Sequence, residues 1–158
     1  MQNEPIVAAV PGNVELDLLC AGRIDEPFFA ENIHQLVPFE VYEWWYSRDF
    51  ELPSESDGAM GWDLVFEGLD TLATVWVNGI EVGQSDNMFI AHRFDVSHAL
   101  RFGQTNHIDV RLGSVVLQAR HYRYDASTFS CEHRMEGMYI RKPPHVWGWD
   151  IMCRAVSA

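Results

Sequence analysis

The sequence has 158 residues and sets 11 Lys and Arg against 23 Asp and Glu, a formal charge of −12. That length suits a single domain, residues 1–158, and 47% apolar with 22% charged residues is globular rather than disordered composition. The charge excludes a phosphate-seeking surface, since nucleic acid and anionic lipid are repelled before contact, and leaves neutral ligands such as a sugar or a peptide. Apolar runs such as Ile6 to Val10 are too short to cross a bilayer, so no membrane span is expected. Cys20, Cys131 and Cys153 are odd in number and form no CxxC pair, which fits free thiols in a reducing compartment. With no basic and apolar leader at the N-terminus, a cytoplasmic location is expected. The seven histidines show no metal-ligand spacing, so neither a metal nor another cofactor is expected.

In chain order, Asn13 is placed to cap a short helix over Val14 to Leu19 that ends near Gly22, and Ala30 to Leu36 suggests another turn or two. From Trp44 the period becomes two. Trp44, Tyr46, Arg48, Phe50 and Leu52 share one face of a strand, and Trp45, Ser47, Asp49 and Glu51 share the other. Leu64 and Phe66 alternate with Asp63 and Glu67 in the same way. Val75-Trp76-Val77-Asn78-Gly79-Ile80-Glu81-Val82 reads as a hairpin on a two-residue type I′ turn. It pairs Val77 with Ile80, Trp76 with Glu81 and Val75 with Val82, the four branched side chains on one face. Asp86-Asn87-Met88-Phe89 reads as a turn into the next strand, and Ser97 to Leu100 as a further turn. Ile108, Val110 and Leu112 mark another strand, while Val115 to Tyr124 fits a helix or a strand equally. Short strands at turn-marked spacing make an antiparallel sandwich the expected architecture.

No GxSxG, GxxxxGK[ST] or GxGxxG motif occurs, and paired carboxylates have no local spacing rule that would pick two from 23. The chemistry-bearing stretch is Tyr139-Ile140-Arg141-Lys142-Pro143-Pro144-His145-Val146-Trp147-Gly148-Trp149-Asp150. Its double proline calls for extended backbone and Gly148 permits an unusual turn. An indole face offers a platform for the C–H face of a sugar, and a carboxylate can accept two hydroxyls. The plainer reading is that Trp147 and Trp149 cap the core and Asp150 accepts backbone N–H groups. Trp44, Trp45, Trp62 and Trp76 lie in strand patterns and are read as core or partner-facing residues.

These residues, taken together, resemble a known family. Pro11-Gly12-Asn13-Val14-Glu15-Leu16-Asp17-Leu18 and Ala21-Gly22-Arg23-Ile24-Asp25-Glu26-Pro27-Phe28-Phe29 are similar to the start of β-mannosidases of glycoside hydrolase family 2. Leu64 to Thr71, Val77-Asn78-Gly79, Ser85 to Phe89, Ile140-Arg141-Lys142 and Trp147-Gly148-Trp149-Asp150 follow in consistent order across almost the whole chain. The resemblance implies a jelly-roll β-sandwich of the galactose-binding-like type with a few short helices. It also implies an N-terminal piece of a longer retaining exo-glycosidase, whose immunoglobulin-like domains and (β/α)8 barrel follow. The two catalytic glutamates would then lie beyond Ala158, leaving this piece without a catalytic residue of its own. By the same resemblance Trp149 and Asp150 help hold the terminal β-linked sugar, with Asn87 a further contributor at the edge. The implied partners are therefore carbohydrate and the rest of the parent chain. Two departures stand out. Trp149-Asp150 continues as Ile151-Met152-Cys153 where Trp-Gly-Pro is usual, and Trp147 stands where Phe is common, so the pocket edge should differ. The resemblance also implies a last strand beyond Ala158, whose exposed neighbour would be a self-association edge giving a homo-oligomer. The alternatives are an autonomous carbohydrate-binding module, a purely structural docking domain, or a parent β-galactosidase or β-glucuronidase.

Overall fold

The computed structural model describes residues 4–54, 61–123, 135–148 and 154–156. They fall into two compact units, one of Glu43–Gly113 and one of Met1–Tyr42 with Ser114–Ala158. Among the described residues the first unit holds six strands: β1 (Trp44–Glu51), β2 (Asp63–Phe66), β3 (Ala73–Val77), β4 (Ile80–Ser85), β5 (His92–Asp95) and β6 (Thr105–Leu112). One sheet runs β1-β6-β3-β4 and a second pairs β2 with β5, every pairing antiparallel.

Alternation decides which face of each strand is buried. In β1, Trp44, Tyr46 and Phe50 turn partly inward while Trp45, Ser47, Asp49 and Glu51 are exposed, as the period of two predicts, but Arg48, expected on the inward face, is exposed. Leu69, Ala73, Val75 and Val110 form the centre of the core. Against them pack Tyr46, Val82, Ile108 and Leu112 from the larger sheet and Leu64, Phe66 and Phe94 from the smaller. The sheets are thus two layers of one sandwich, each fully buried valine contributing about 1.5–3 kcal/mol. A second cluster of Val77, Val96 and Ala99 extends the core toward Trp62 and Leu100.

The β3–β4 hairpin forms on the expected turn, with Asn78 at φ 52° and Gly79 at φ 79°, the left-handed pair a type I′ turn requires. Val77 faces Ile80 and Trp76 faces Glu81, as expected. Val75, however, lies opposite Gly83 rather than Val82, because a bulge shifts the register beyond Trp76. Phe94 of the facing sheet packs against Gly83. A Cβ at position 83 would stand 2.1 Å from its ring, so only glycine fits there. Val82 still packs on the core, while Ile80, beside the turn, is exposed.

Asn106 at the start of β6 is fully buried, at 0% exposure. Its amide donates to the carbonyls of Arg101 (2.8 Å) and Gln104 (3.1 Å). Its oxygen accepts from the Arg101 N–H and from Asn78 Nδ2, both at 2.8 Å. Asn78 in turn donates to the Ala99 carbonyl at 2.7 Å and accepts from His107 N–H at 3.0 Å. On the outer face His107 Nδ1 meets Asp49 at 2.6 Å and Nε2 meets Asp109 at 3.1 Å, and Ser47 donates to Asp109 at 2.5 Å. The Asp49 hydrogen bond, followed by that of Asp109, raises the His107 pKa above its ordinary value of 6.5.

In the second unit, α1 (Val14–Cys20) starts at Asn13, whose Oδ1 accepts the Leu16 N–H at 2.9 Å. A 3₁₀ helix, Asn32–Val41, replaces the one or two turns expected at 30–36. It buries Ile33, Leu36 and Phe39, a spacing of three that matches its three-residue turn. The ambiguous stretch after Ser114 is a short helix, α2 (Val115–Ala119). The Ser114 hydroxyl accepts Leu117 N–H at 3.1 Å and donates to the Glu40 carbonyl at 2.5 Å.

Replacing Asn106 with Ala strands two main-chain carbonyls, one N–H and the Asn78 amide. We expect a loss on the order of 3 kcal/mol in urea unfolding, with wild-type stability refuting the role given to Asn106. His107 should titrate above 6.5 by NMR, and Asp49→Asn should lower that value. Because the folded pKa is raised, its contribution to stability is complete below pH 6.5 and fades as pH rises through the folded value.

Candidate functional site

The aromatic C-terminal stretch is shaped by its prolines and glycine. Pro143 is extended, at φ −59° and ψ 138°, but Pro144 opens a 3₁₀ helix, Pro144–Trp147. The double proline is therefore extended only at its first ring. The second takes the first helical position, where a fixed φ fits and no N–H is needed. Gly148 then turns left-handed at φ 80° and ψ 37°, its N–H reaching the His145 carbonyl at 3.1 Å, as its predicted turn requires.

Trp147 is 5% exposed, so its indole is core material rather than a platform open to a ligand. The short helix Met135–Met138 lies against it, and a Cβ on Gly137 would stand 2.9 Å from the indole Cγ. The Arg154 guanidinium sits over the same ring, 5.1 Å from its centroid. Arg154 Nε also lies 2.9 Å from Glu40 Oε1 on the 3₁₀ helix Asn32–Val41, an ion pair whose two side chains are each only 13% exposed. Ala155 N–H donates to the Val146 carbonyl at 2.8 Å. Of the basic pair Arg141-Lys142, the arginine is exposed while Lys142 is 3% exposed, so the two do not form one cationic patch. Tyr139 stacks on Tyr122 at 5.0 Å and donates to the Arg123 carbonyl at 2.8 Å.

Trp149 and Asp150, the principal residues predicted for the sugar, lie outside the described residues, as do Ile151, Met152 and Cys153. Asn87 is described and half-buried in the turn after β4. Its Oδ1 accepts the Phe89 N–H at 2.9 Å and its carbonyl meets His92 Nε2 at 2.7 Å, so the predicted turn is formed. Glu40 and Arg154 were not singled out by the sequence, because nothing local links one acid among 23 to one base among 11. Among the strand tryptophans, Trp45 is 56% exposed and stacks on Trp76 at 5.3 Å and 18°, with Arg111 5.9 Å from the Trp76 ring. Among the described residues no cluster of three His, Cys, Asp or Glu is arranged for a metal, and no helix is long and apolar enough to cross a membrane.

A family model described as glycosyl hydrolase 2 galactose-binding domain-like matches residues 1–158. The chain belongs to that family. Its fold is accordingly the galactose-binding-like β-sandwich with a few short helices that the sequence implied. It is 32% identical over 151 residues to the beta-mannosidase B of Emericella nidulans, covering 91% of this chain and 17% of that protein. It is 33% identical over 152 residues to the beta-mannosidase of Capra hircus, covering 90% of this chain and again 17% of the relative. The solved beta-D-mannosidase from Dictyoglomus thermophilum superposes with a TM-score of 0.84 at 34% identity, over 94% of this chain and 18% of that one. The chain thus spans about a sixth of the length of these relatives.

Proposed function

We propose that these residues are the non-catalytic N-terminal domain of a retaining exo-glycosidase of the β-mannosidase type. In this reading the domain packs on the rest of its own chain, and Trp149 and Asp150 help hold the sugar at the non-reducing end. The observation that carries it is the match to the Dictyoglomus beta-D-mannosidase, which extends through almost the whole chain at a TM-score of 0.84. The two carboxylates that break the glycosidic bond belong to another part of the full-length protein. Since Trp147 is committed to the core, Trp149 is the indole left to face a sugar, beside a carboxylate able to accept two hydroxyls. Asn87 is a lesser contributor, its Oδ1 already engaged by Phe89. A cytoplasmic setting belongs to the same reading, supported by the odd cysteine count and the free, exposed Cys20 thiol.

A second reading, an autonomous carbohydrate-binding module, draws on one observation, the exposed Trp45 ring stacked on Trp76. The two are separable. Asp150→Ala in the full-length protein should lower kcat/KM on an aryl β-mannoside about tenfold or more, since one charge-assisted bond exceeds the roughly 1.4 kcal/mol per decade. An unchanged kcat/KM removes Asp150 from the pocket. The isolated 158 residues should show no retention by mannan in affinity electrophoresis. Retention abolished by Trp45→Ala would favour the second reading instead.

A further inference from the structure

Asn78-Gly79 is chemically reactive as well as turn-forming. A residue without a side chain leaves its backbone nitrogen open to the amide carbon of a preceding asparagine, and the two can close a five-membered ring. Here the two halves of that reaction have opposite surroundings. Gly79 is exposed, and nothing lies within 4 Å of the place a Cβ would take. The Asn78 amide is fully engaged. Its Nδ2 donates to the Ala99 carbonyl at 2.7 Å and to Asn106 Oδ1 at 2.8 Å, and its Oδ1 accepts the His107 N–H at 3.0 Å. The main-chain N–H of Asn78 also donates to the His107 carbonyl at 2.8 Å. The amide is thus held by β6 and by the segment between β5 and β6, all within the compact unit Glu43–Gly113.

We propose that Asn78 is a site of spontaneous deamidation, kept unreactive by its bonds to Ala99, Asn106 and His107 and converted when the hairpin turn parts from β6. The chemistry needs only water and hydroxide. The Gly79 nitrogen gives its proton to hydroxide and attacks Asn78 Cγ, the Cγ–Nδ2 bond breaks, and Nδ2 leaves as ammonia. Water then opens the cyclic imide at one carbonyl or the other, giving aspartate or isoaspartate, with no change of oxidation state. In the folded chain the nucleophile is already in water, but Cγ does not swing onto it while Oδ1 and Nδ2 are held elsewhere. Conversion is then decided by local opening of the turn, a sub-global event with its own free energy. Either product prevents the turn from closing as before. An aspartate sets a carboxylate oxygen where Nδ2 donated, facing two acceptors, the Ala99 carbonyl and Asn106 Oδ1. An isoaspartate adds a methylene to the backbone of a two-residue turn, so Val77 no longer meets Ile80.

Peptide mapping by mass spectrometry tests this, following conversion at Asn78 in the full-length protein held in mildly alkaline buffer. The reference is a synthetic peptide of residues 73–85, a lone hairpin with no third strand to hold its turn. The folded protein should convert about tenfold more slowly than the peptide, or slower still. Equal rates overturn the proposal. Asn106→Ala removes one acceptor of Nδ2 and should convert faster than wild type while remaining folded by circular dichroism. A folded Asn106→Ala that converts at the wild-type rate overturns the part given to these hydrogen bonds. Should that variant fail to fold, the wild-type protein decides the matter by itself. In urea below the unfolding transition, conversion at Asn78 and hydrogen exchange of the His107 N–H should rise in proportion, because both require the same opening. Conversion that stays constant while His107 exchange rises overturns the proposal.

Discussion

One buried amide organises the sandwich. Asn106 stands where β6 begins, between the turn that follows Arg101 and the hairpin turn of β3 and β4, and it satisfies polar groups from both. Its own two donors and its oxygen are all used, so the site costs no unpaired buried polar atom. Asn78 has a double duty beside it. It supplies the left-handed backbone that the turn needs, and its side chain ties that turn to Ala99, Asn106 and His107. A glycine there would keep the turn and lose the ties. β6 lies between β1 and β3 in the larger sheet, so anchoring its start fixes the register of both neighbours.

The aromatic residues divide according to the work each face permits. Phe66 and Phe94 meet edge to face at 6.1 Å within the core, and Gly83 exists to admit the Phe94 ring. Trp45 and Trp76 lie on the other face of the sheet, among the charged partners Arg111, Asp109 and His107. Trp147 is buried in the other unit, where it receives Arg154 rather than a ligand. An abundance of aromatic side chains is therefore a poor count of sugar platforms, because most of these rings are structural. The acidic balance of the chain works with the same division. His107 finds Asp49 on the neighbouring strand and Asp109 two residues along its own, and Arg111 finds Glu43, on a face the strands leave to solvent.

Local rules decided a good deal. The alternation in β1, β2 and β6, the Asn13 cap and the Asn78-Gly79 turn were all readable, because each depends on residues a few positions apart. The bulge that leaves Val82 unpaired was not, nor was the packing of Phe94 from the facing sheet against Gly83. The sequence showed four branched residues and had no means of showing that a ring would need the space of a Cβ. Pro144 illustrates the same limit at shorter range, for a proline favours extended backbone and the first turn of a helix alike, and its neighbours choose between them. Val115 to Ala119 became helical because Ser114 could cap it and the 3₁₀ helix Asn32–Val41 could receive it, neither of which is a property of the segment alone.

By itself, the sequence determined the class of fold and the family, because side-chain period and ordered motifs survive without coordinates. Tertiary structure alone decided that Trp147 is core, that Lys142 is withdrawn while Arg141 is exposed, and that Glu40 reaches Arg154. Those outcomes depend on which distant surfaces meet. An ion pair between residues far apart in the chain leaves no periodic trace, and burial of an indole depends on what is laid against it.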